Sequence, residues 1–236
     1  MPSTLSGIAG GKRTLLAVAA PVEVEAVAAA FGASSKLGPP GSAPVWRLLE
    51  LSEEFDLVIT AVGKAAAAGG VARVLEPARH GLVLSVGVAG ALRGTRVGQV
   101  VVADRCDLAD DGVMGASGFM NLERMGFGPF PGLTSGAMVD ASVREHLAPV
   151  ADVLGPVATV STCSGTDVLA AALAARGFIA EAMEGAATAL VAERVGVPFG
   201  ELRVISNTTG DRARQSWDLR GALNVLTAVL GRLAGR

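Results

Sequence analysis

Short apolar runs alternate with helical patterns along the whole chain, and this alternation restricts the possible fold more than any other feature. Runs of strand length lie at residues 14–20, 55–60, 82–86, 98–103, 157–162 and 199–205. The run at 82–86 is apolar nearly throughout, which is typical of a strand covered on both faces in a parallel sheet. The pattern predicts a single three-layer α/β domain around a mostly parallel sheet, with its ligand site at the carboxyl ends of the strands.

The composition limits the classes of partner. Half of the 236 residues are hydrophobic and the formal net charge is −2, so we expect no nucleic acid as partner. No apolar run approaches the roughly 20 residues of a membrane span. The two cysteines and two histidines have no metal-ligand spacing, so we expect no metal, no disulfide framework and a reducing cytoplasm. Residues 1–13 lack an apolar core and are expected to form a flexible N-terminus before a domain at 14–236.

The stretch at residues 182–217 holds the strongest functional signal from the residues alone. Met-Glu-Gly at 183–185 reads as the start of a helix, which Gly196 and Pro198 end. A strand at 199–205 then leads into a polar turn at 206–211. Glu184 therefore lies at the start of a helix, and Asn207 lies just after a strand. Both positions belong to the ligand crevice of an open α/β sheet.

Two further segments are expected at the same edge of the sheet. Pro21 suits the first turn of a helix, so Glu23 lies just beyond the strand at 14–20. An acidic residue there can also simply complement the helix dipole, and both interpretations of Glu23 remain open. The glycine-rich segment 87–91 is predicted to be a turn whose amides approach a ligand closely. A third turn precedes a helix at 168–175, with Thr166 or Asp167 as its N-cap.

Other segments carry plainer predictions. Residues 31–44 are expected to be a loop, and 45–51 and 55–60 a strand hairpin. The segment 104–131 is predicted to be long and irregular. Gly63-Lys64 lacks the rest of the P-loop motif, so we expect a tight turn with a solvated lysine there. We also expect Asp110-Asp111 to form a solvated turn.

The motifs in combination resemble the nucleoside phosphorylase/nucleosidase family. They are T-A-V-G-K at 60–64, S-V-G-V-A-G-A-L at 85–92, M-E-G-A-A at 183–187 and R-V-I-S-N at 203–207. The similarity runs from about residue 14 to the C-terminal helix. The segments 119–128, 162–167 and 205–218 resemble, within that family, hydrolases of a 6-oxopurine nucleoside whose 5′ substituent carries a carboxylate.

The resemblance implies a mixed central sheet flanked by helices, a homo-oligomer and hydrolysis of an N-glycosidic bond without a cofactor. Glu23 corresponds to the carboxylate that activates water, with Arg203 and Val88 near that water. Asn207 completes the catalytic candidates. The ribose would be held by Met183 and Glu184. The residues expected to surround the rest of a small-molecule nucleoside are Ala89, Gly90, Val168, Leu169, Ser206, Arg212 and Arg214.

Two departures favour a 6-oxopurine over adenine. Adenine-specific relatives carry Asp at the position of Asn207 and Phe near that of Val168. A neutral Asn207 amide has two N–H donors, which could serve both O6 and N7 of a 6-oxopurine. Asn also suits a tight turn, so a purely structural role stays open. Arg212 and Arg214 could grip the 5′ carboxylate or remain solvated loop charges.

Several alternatives to nucleoside hydrolysis remain. They are a methylthioadenosine or adenosylhomocysteine nucleosidase, a purine nucleoside phosphorylase and a non-catalytic nucleoside-binding protein. Phosphorolysis is disfavoured because Glu23 and Glu25, with no arginine beside them, would repel phosphate. A pure binder has no need of a carboxylate under C1′. Glu184 could instead be a helix cap, and Arg203 could belong to an ion pair at the end of a strand.

Overall fold

The protein is an α/β domain whose central sheet is flanked by helices, as the sequence predicts. This computed structural model describes residue 5, residues 7–39 and residues 41–235. The strands are β1 Arg13–Val18, β2 Leu48–Glu50, β3 Phe55–Ile59, β4 His80–Ala91, β5 Val100–Leu108, β6 Gly112–Gly115, β7 Gly118–Asn121, β8 Gly136–Met138, β9 Val153–Thr159, β10 Ala180–Ala182 and β11 Phe199–Thr208. The helices are α1 Pro21–Ala30, α2 Lys64–Val74, α3 Ala141–Leu147, α4 Asp167–Ala175, α5 Gly185–Val195 and α6 Leu219–Leu233.

Nine of the described strands form one mixed sheet. Its order is β10-β9-β5-β11-β4-β1-β3-β2, and β8 pairs with β5. The pairs β1–β3, β1–β4, β4–β11, β5–β9 and β9–β10 are parallel, whereas β5 runs antiparallel to β11. The end of β4 also pairs with β10 in antiparallel fashion, so β4 has a neighbour on each side at its carboxyl end.

Two helix pairs pack against this sheet. Helix α1 contacts α6, and α2 contacts α5. Helix α1 begins at Pro21, and α5 ends at Gly196, whose backbone is in the left-handed helical conformation. The sequence predicts both ends. Thr166 caps α4 by accepting a hydrogen bond from the Leu169 N–H. No helix within the described residues is both long and apolar enough to cross a membrane.

The glycine-rich segment 87–91 and residues 206–208 are strands and not turns, which corrects two predictions. In register, Gly87 and Val88 of β4 pair with Arg203 and Val204 of β11, and Ala91 pairs with Ala180 of β10. Backbone hydrogen bonds on both sides therefore hold the segment extended. The pairing comes from distant parts of the chain, and local composition does not reveal it.

Three further predictions about chain segments need correction. The segment 104–131 is not irregular throughout, because β5 reaches Leu108 and β6 pairs with β7 in a hairpin. The strand expected at 45–51 is only β2, although its antiparallel pairing with β3 is confirmed. In the predicted flexible N-terminus, Leu5 and Ala9 are buried, while residues 1–4 and 6 lie outside the described residues. The domain boundary at residue 14 stays a prediction.

Candidate active site

A buried cluster of charges lies around Arg203, at the centre of the sheet. The Arg203 side chain is 1% exposed. Its Nε donates to Glu201 Oε1 at 2.8 Å, its Nη2 donates to Ser85 Oγ at 2.9 Å, and its Nη1 lies 3.4 Å from Glu184 Oε2. Burial works against its charge, but the three carboxylates of Glu201, Glu184 and Glu23 raise the pKa of Arg203. The guanidinium is thus permanently charged and fixed in orientation.

Glu184 is held at the point where β10 gives way to α5. Its Oε1 accepts a hydrogen bond from the Gly63 N–H at 3.1 Å, and its Oε2 accepts one from the Met183 N–H at 3.2 Å. The residue is buried, and Met183 beside it is half-buried. These contacts leave lone pairs on both carboxylate oxygens, which could accept hydroxyl donors from a ligand.

Glu23 is fixed by backbone amides from two directions. Its Oε1 accepts from the Val88 N–H at 2.8 Å and its Oε2 from the Ala20 N–H at 2.9 Å. Burial raises the pKa of Glu23, while Arg203 and the two amides oppose that shift. A buried carboxyl with a raised pKa suits a general base better than an ordinary surface carboxylate does. The contact with Ala20 also caps α1, so the structural and functional interpretations of Glu23 coexist.

Gly87 is required where it stands between these charges. A Cβ on Gly87 would overlap the Glu23 carboxylate and lie 2.8 Å from Arg203 Nη1. The absence of a side chain therefore lets Glu23 and Arg203 approach each other over β4.

A cavity of about 470 Å³ lies at the carboxyl end of β4, and Glu23, Glu184 and Arg203 are not among the residues that line it. Gly90, two residues beyond Val88 on β4, forms part of its wall. The volume falls within the usual range for small-molecule sites. Its lining residues are Gly90, Cys163, Ser164, Gly165, Glu181, Asn207, Arg212, Gln215 and Trp217.

Asn207 faces this cavity with only part of its hydrogen-bonding capacity free. Its Oδ1 accepts from the Ser206 hydroxyl at 2.9 Å, and its Nδ2 donates to the Thr208 carbonyl at 2.8 Å. Since an amide nitrogen carries two hydrogens, one N–H remains for a ligand. The prediction that both N–H groups serve the base is therefore corrected to one. The Ser206 Oγ also lies 3.3 Å from the Ala89 carbonyl oxygen, so its one hydrogen is shared between that oxygen and Asn207 Oδ1.

The remaining candidates differ in their relation to the cavity. Arg212 lines it, and its guanidinium lies 4.8 Å from the centre of the Trp217 ring. Arg214 is engaged with Asp167 at 2.5 Å and with Asp211 at 3.2 Å. Val168 and Leu169, in the first turn of α4, are 78% and 45% exposed and are not among the residues that line this cavity.

Two predictions about charges are wrong. Lys64 is not solvated, because its Nζ forms ion pairs with Asp110 and Asp111, so these aspartates are not a free turn either. Asp110 also accepts a hydrogen bond from the Ser161 N–H at 2.7 Å, which connects the lysine to the segment after β9. Glu25 is exposed on α1 and does not share the site of Glu23.

The group beside Glu23 is Arg203, contrary to the expectation of no arginine there. Its charge is already matched by Glu201 and Glu184, at 2.8 and 3.4 Å. Phosphate would therefore still meet an excess of carboxylates at this place, although for a different reason from the one predicted.

Sequence reasoning missed two buried carboxylates. Glu201 is fully buried against Arg203. The two residues are two positions apart in an apolar strand and therefore lie on the same face, which could have predicted a buried ion pair. Glu181 lies on β10, whose three residues carry no strand signature, so nothing in the sequence singled it out.

Comparisons with known proteins fit this geometry. The model of the phosphorylase superfamily matches residues 14–235. The chain belongs to this superfamily. It is 38% identical over 222 residues to the futalosine hydrolase of Acidothermus cellulolyticus, covering 91% of this chain and 87% of that protein. It is 39% identical over 228 residues to the futalosine hydrolase of Streptomyces coelicolor, covering 93% and 94%.

A solved structure of the same superfamily fold supports the architecture. The 5′-methylthioadenosine/S-adenosylhomocysteine nucleosidase of Neisseria meningitidis, in complex with methylthio-immucillin-A, superposes with a TM-score of 0.72 at 19% identity, covering 94% of this chain and 98% of that one. The predicted family and the predicted mixed α/β fold are thereby confirmed. The predicted enzyme class, an N-glycosidase, agrees with the two sequence relatives.

Proposed function

We propose that the protein hydrolyses the N-glycosidic bond of futalosine, releasing hypoxanthine and dehypoxanthine futalosine, a step of menaquinone biosynthesis. The observation that carries this proposal is the pair of buried carboxylates, Glu23 and Glu184, whose charges both act on the buried Arg203. Asn207 lines a cavity at the carboxyl end of β4. The substrate follows from the two sequence relatives, whose alignments cover most of this chain.

The chemistry can be assigned to named groups. Breaking the C1′–N9 bond places positive charge on the sugar and negative charge on the purine, as in glycoside hydrolysis. Glu23 takes a proton from water as the water oxygen bonds to C1′, and the bonding electrons leave with the base. Glu184 accepts hydrogen bonds from the ribose hydroxyls, while Arg203, whose Nη1 lies 3.4 Å from Glu184 Oε2, holds that carboxylate in place. The N–H of Asn207 stabilises charge that develops on the base.

Two alternatives within the superfamily are less well supported. An adenine nucleosidase would need an acceptor for the 6-amino group, and the Ser206 hydroxyl already uses one of the two lone pairs of Asn207 Oδ1. A phosphorylase would need to place a dianion among the carboxylates of Glu23, Glu184 and Glu201, and Arg203 offsets only part of their charge.

The proposal is tested by incubating the protein with futalosine, with and without added phosphate, and identifying the products by mass spectrometry. We expect free hypoxanthine and a free ribose terminus, at a rate that phosphate does not change. A ribose 1-phosphate terminus would identify a phosphorylase. No release of base from futalosine, together with release from methylthioadenosine, would favour the adenine nucleosidase.

We also propose that the enzyme works in the cytoplasm as a homo-oligomer. An apolar depression on the surface supports assembly, since exposed apolar surface of this kind often marks an interface. It is lined by Ala72, Leu75, Pro129, Leu190, Val191, Arg194 and Val195. Sedimentation equilibrium of the purified protein would reveal the oligomer, and a monomer at micromolar concentration would contradict it.

A further inference from the structure

Glu201 is a buried carboxylate to which the proposed hydrolysis assigns no role. It lies on β11, is fully buried and is not among the residues that line the cavity at the carboxyl end of β4. Its Oε1 accepts a hydrogen bond from Arg203 Nε at 2.8 Å, and its Oε2 accepts one from the Cys106 thiol at 2.8 Å. Burial and the charges of Glu201 and Asp107 raise the pKa of Cys106, so the thiol keeps the proton that it donates. Both carboxylate oxygens of Glu201 are therefore held by donors of the chain itself.

The start of α5 leaves room for this carboxylate. Gly185 is the first residue of α5, and its backbone is not in the left-handed conformation that favours glycine. A Cβ on Gly185 would, however, overlap the Glu201 carboxylate. The glycine is therefore needed for space and not for its backbone conformation. Because Glu184 directly precedes it, Glu201 packs immediately behind the residue that we propose holds the ribose.

Glu201 and Ser85 together fix the guanidinium of Arg203. Arg203 donates from Nε to Glu201 and from Nη2 to Ser85 Oγ, at 2.8 and 2.9 Å, and two such contacts fix both the position and the plane of a rigid guanidinium. In register, Glu201 of β11 pairs with Ser85 of β4, so the two acceptors lie on neighbouring strands. Nη1 then faces Glu184, 3.4 Å from its Oε2. Removing Glu201 would leave a buried N–H without its acceptor and the plane of the guanidinium less well fixed.

Glu201 also limits how strongly the charge of Arg203 acts on Glu23. The carboxylates that act on Arg203 are those of Glu201, Glu184 and Glu23, and the charges that act on Glu23 are those of Arg203 and Glu184. Burial raises the pKa of Glu23, and the charge of Arg203 opposes that rise. Glu201 carries the opposite charge in direct contact with Arg203, so it offsets part of this opposition.

We propose that Glu201 is a positioning residue, which holds the Arg203 guanidinium toward Glu184 and balances its charge so that Glu23 can serve as the general base. This inference rests on the proposed function, because it takes Glu23 as the base of the hydrolysis. Glu201 acts through Arg203 and is not itself a catalytic residue.

The test compares the pH profiles of wild type, Glu201→Gln and Cys106→Ala with futalosine as substrate. Glutamine keeps an acceptor for Arg203 Nε but removes the charge, whereas Cys106→Ala removes the other contact of the same carboxylate and keeps its charge. In Glu201→Gln the charge of Arg203 is less well balanced, so the acidic limb of kcat/KM should move to lower pH by about one unit. The kcat at neutral pH should fall by about three- to tenfold, because Glu23 becomes a weaker base. KM should change less, since the backbone N–H groups that hold Glu184 are unaltered.

Cys106→Ala should leave the acidic limb where it is in wild type. A limb that moves equally in both variants would assign the effect to packing around Glu201 and would overturn the inference. A limb that Glu201→Gln does not move would overturn it as well.

Titration of the Glu23 carboxyl by ¹³C NMR tests the same inference without the assay. Its midpoint should be lower in Glu201→Gln than in wild type and unchanged in Cys106→Ala. If wild type does not hydrolyse futalosine, the proposed reaction fails, and this titration still decides whether Glu201 acts on Glu23. Hydrolysis by wild type with a Glu23 midpoint that Glu201→Gln does not change would refute only the role of Glu201.

A measurement on wild type alone covers the case in which Glu201→Gln does not fold. The Arg203 Nε proton, assigned from the backbone of that residue, should exchange slowly with water and show a nuclear Overhauser contact with the Glu201 side chain. An Nε proton that exchanges rapidly or lacks this contact would overturn the inference, because the guanidinium would then not be held by Glu201.

Discussion

At the scale of single residues, Glu23 is the side chain that we propose as the general base of the hydrolysis. Glu23→Gln keeps the size of the side chain and one of the two contacts with backbone N–H groups, because its amide has a single acceptor oxygen. It cannot take a proton from water. We expect kcat to fall by about 10²–10⁴-fold with ligand binding largely retained. Steady-state kinetics and calorimetry with the product hypoxanthine measure the two effects, and Glu25→Gln is the matched control on the same helix. Turnover within a few-fold of wild type would remove Glu23 from the mechanism.

The raised pKa of Glu23 also predicts a pH profile at this scale. The general base must be ionised, so kcat/KM should fall as the pH drops through its pKa, with a midpoint above the ordinary value of 4.5. Because the pKa of Glu23 is higher in the folded protein than in the unfolded chain, Glu23 contributes stability below pH 4.5. This contribution is lost as the pH rises through the pKa of the folded state. In Glu23→Gln both dependences should be absent, as kinetic and unfolding measurements across pH would reveal. An acidic limb that Glu23→Gln retains would belong to another group.

Asn207 is the residue that we propose selects the base. Wild type should favour hypoxanthine nucleosides over adenine nucleosides, because the free N–H of Asn207 donates to an acceptor edge. In Asn207→Asp an acceptor replaces that donor, which suits the amine of adenine, so the preference should move toward adenine by about tenfold or more. Values of kcat/KM for inosine and adenosine on both proteins measure the change. An unchanged ratio would leave Asn207 as a residue that only shapes the end of β11.

At the scale of elements, the segment between β11 and α6 contains two arginines, Arg212 and Arg214, for which the sequence predicts the same role but which make different contacts. Arg212 lines the cavity, whereas Arg214 is held by Asp167 and Asp211. We therefore expect Arg212→Ala to raise KM for futalosine about tenfold, because a guanidinium can bind the 5′ carboxylate with two hydrogen bonds. Arg214→Ala should have a smaller effect, and neither should change KM for inosine. Equal effects of Arg212→Ala on both substrates would reject recognition of the carboxylate.

Some of the elements and site residues can be predicted from the sequence, and others cannot. The order of strands and helices, the N-terminus of α1 and both ends of α5 follow from local pattern and capping. The positions of Glu23, Glu184 and Asn207 at one edge follow from the rule for parallel strands. The extended conformation at the ends of β4 and β11 could not be predicted. It depends on the pairing of β4 with β10 and of β11 with β4, and these partners are distant in sequence. Glu181 was missed for the same reason. The roles given to Met183, Glu184 and Glu23 came from family resemblance and remain predictions.

At the scale of the whole molecule, a second charge cluster lies apart from the site and joins three strands. Asp56 of β3 is fully buried, forms ion pairs with Arg13 of β1 at 2.8 Å and with Arg79 at 2.7 Å, and accepts a hydrogen bond from His80 Nε2 of β4 at 3.0 Å. Burial alone would raise its pKa, but hydrogen bonds from His80, Arg79 and Arg13 hold the pKa of Asp56 below its usual range. Its contribution to stability is therefore present above 3.8 and lost as the pH falls further.

Asp56→Asn should lower the free energy of unfolding by about 3–5 kcal/mol, because it leaves the charges around a buried position without their partner. Glu50→Gln is the matched control, since Glu50 also pairs with Arg79 but is 66% exposed. An exposed pair contributes only about 0–1 kcal/mol, so this variant should unfold close to wild type. Urea unfolding at neutral pH measures both. If the two variants lost the same free energy, the cluster would be a surface network and not a link between β1, β3 and β4, and acid unfolding would have to begin at another carboxylate.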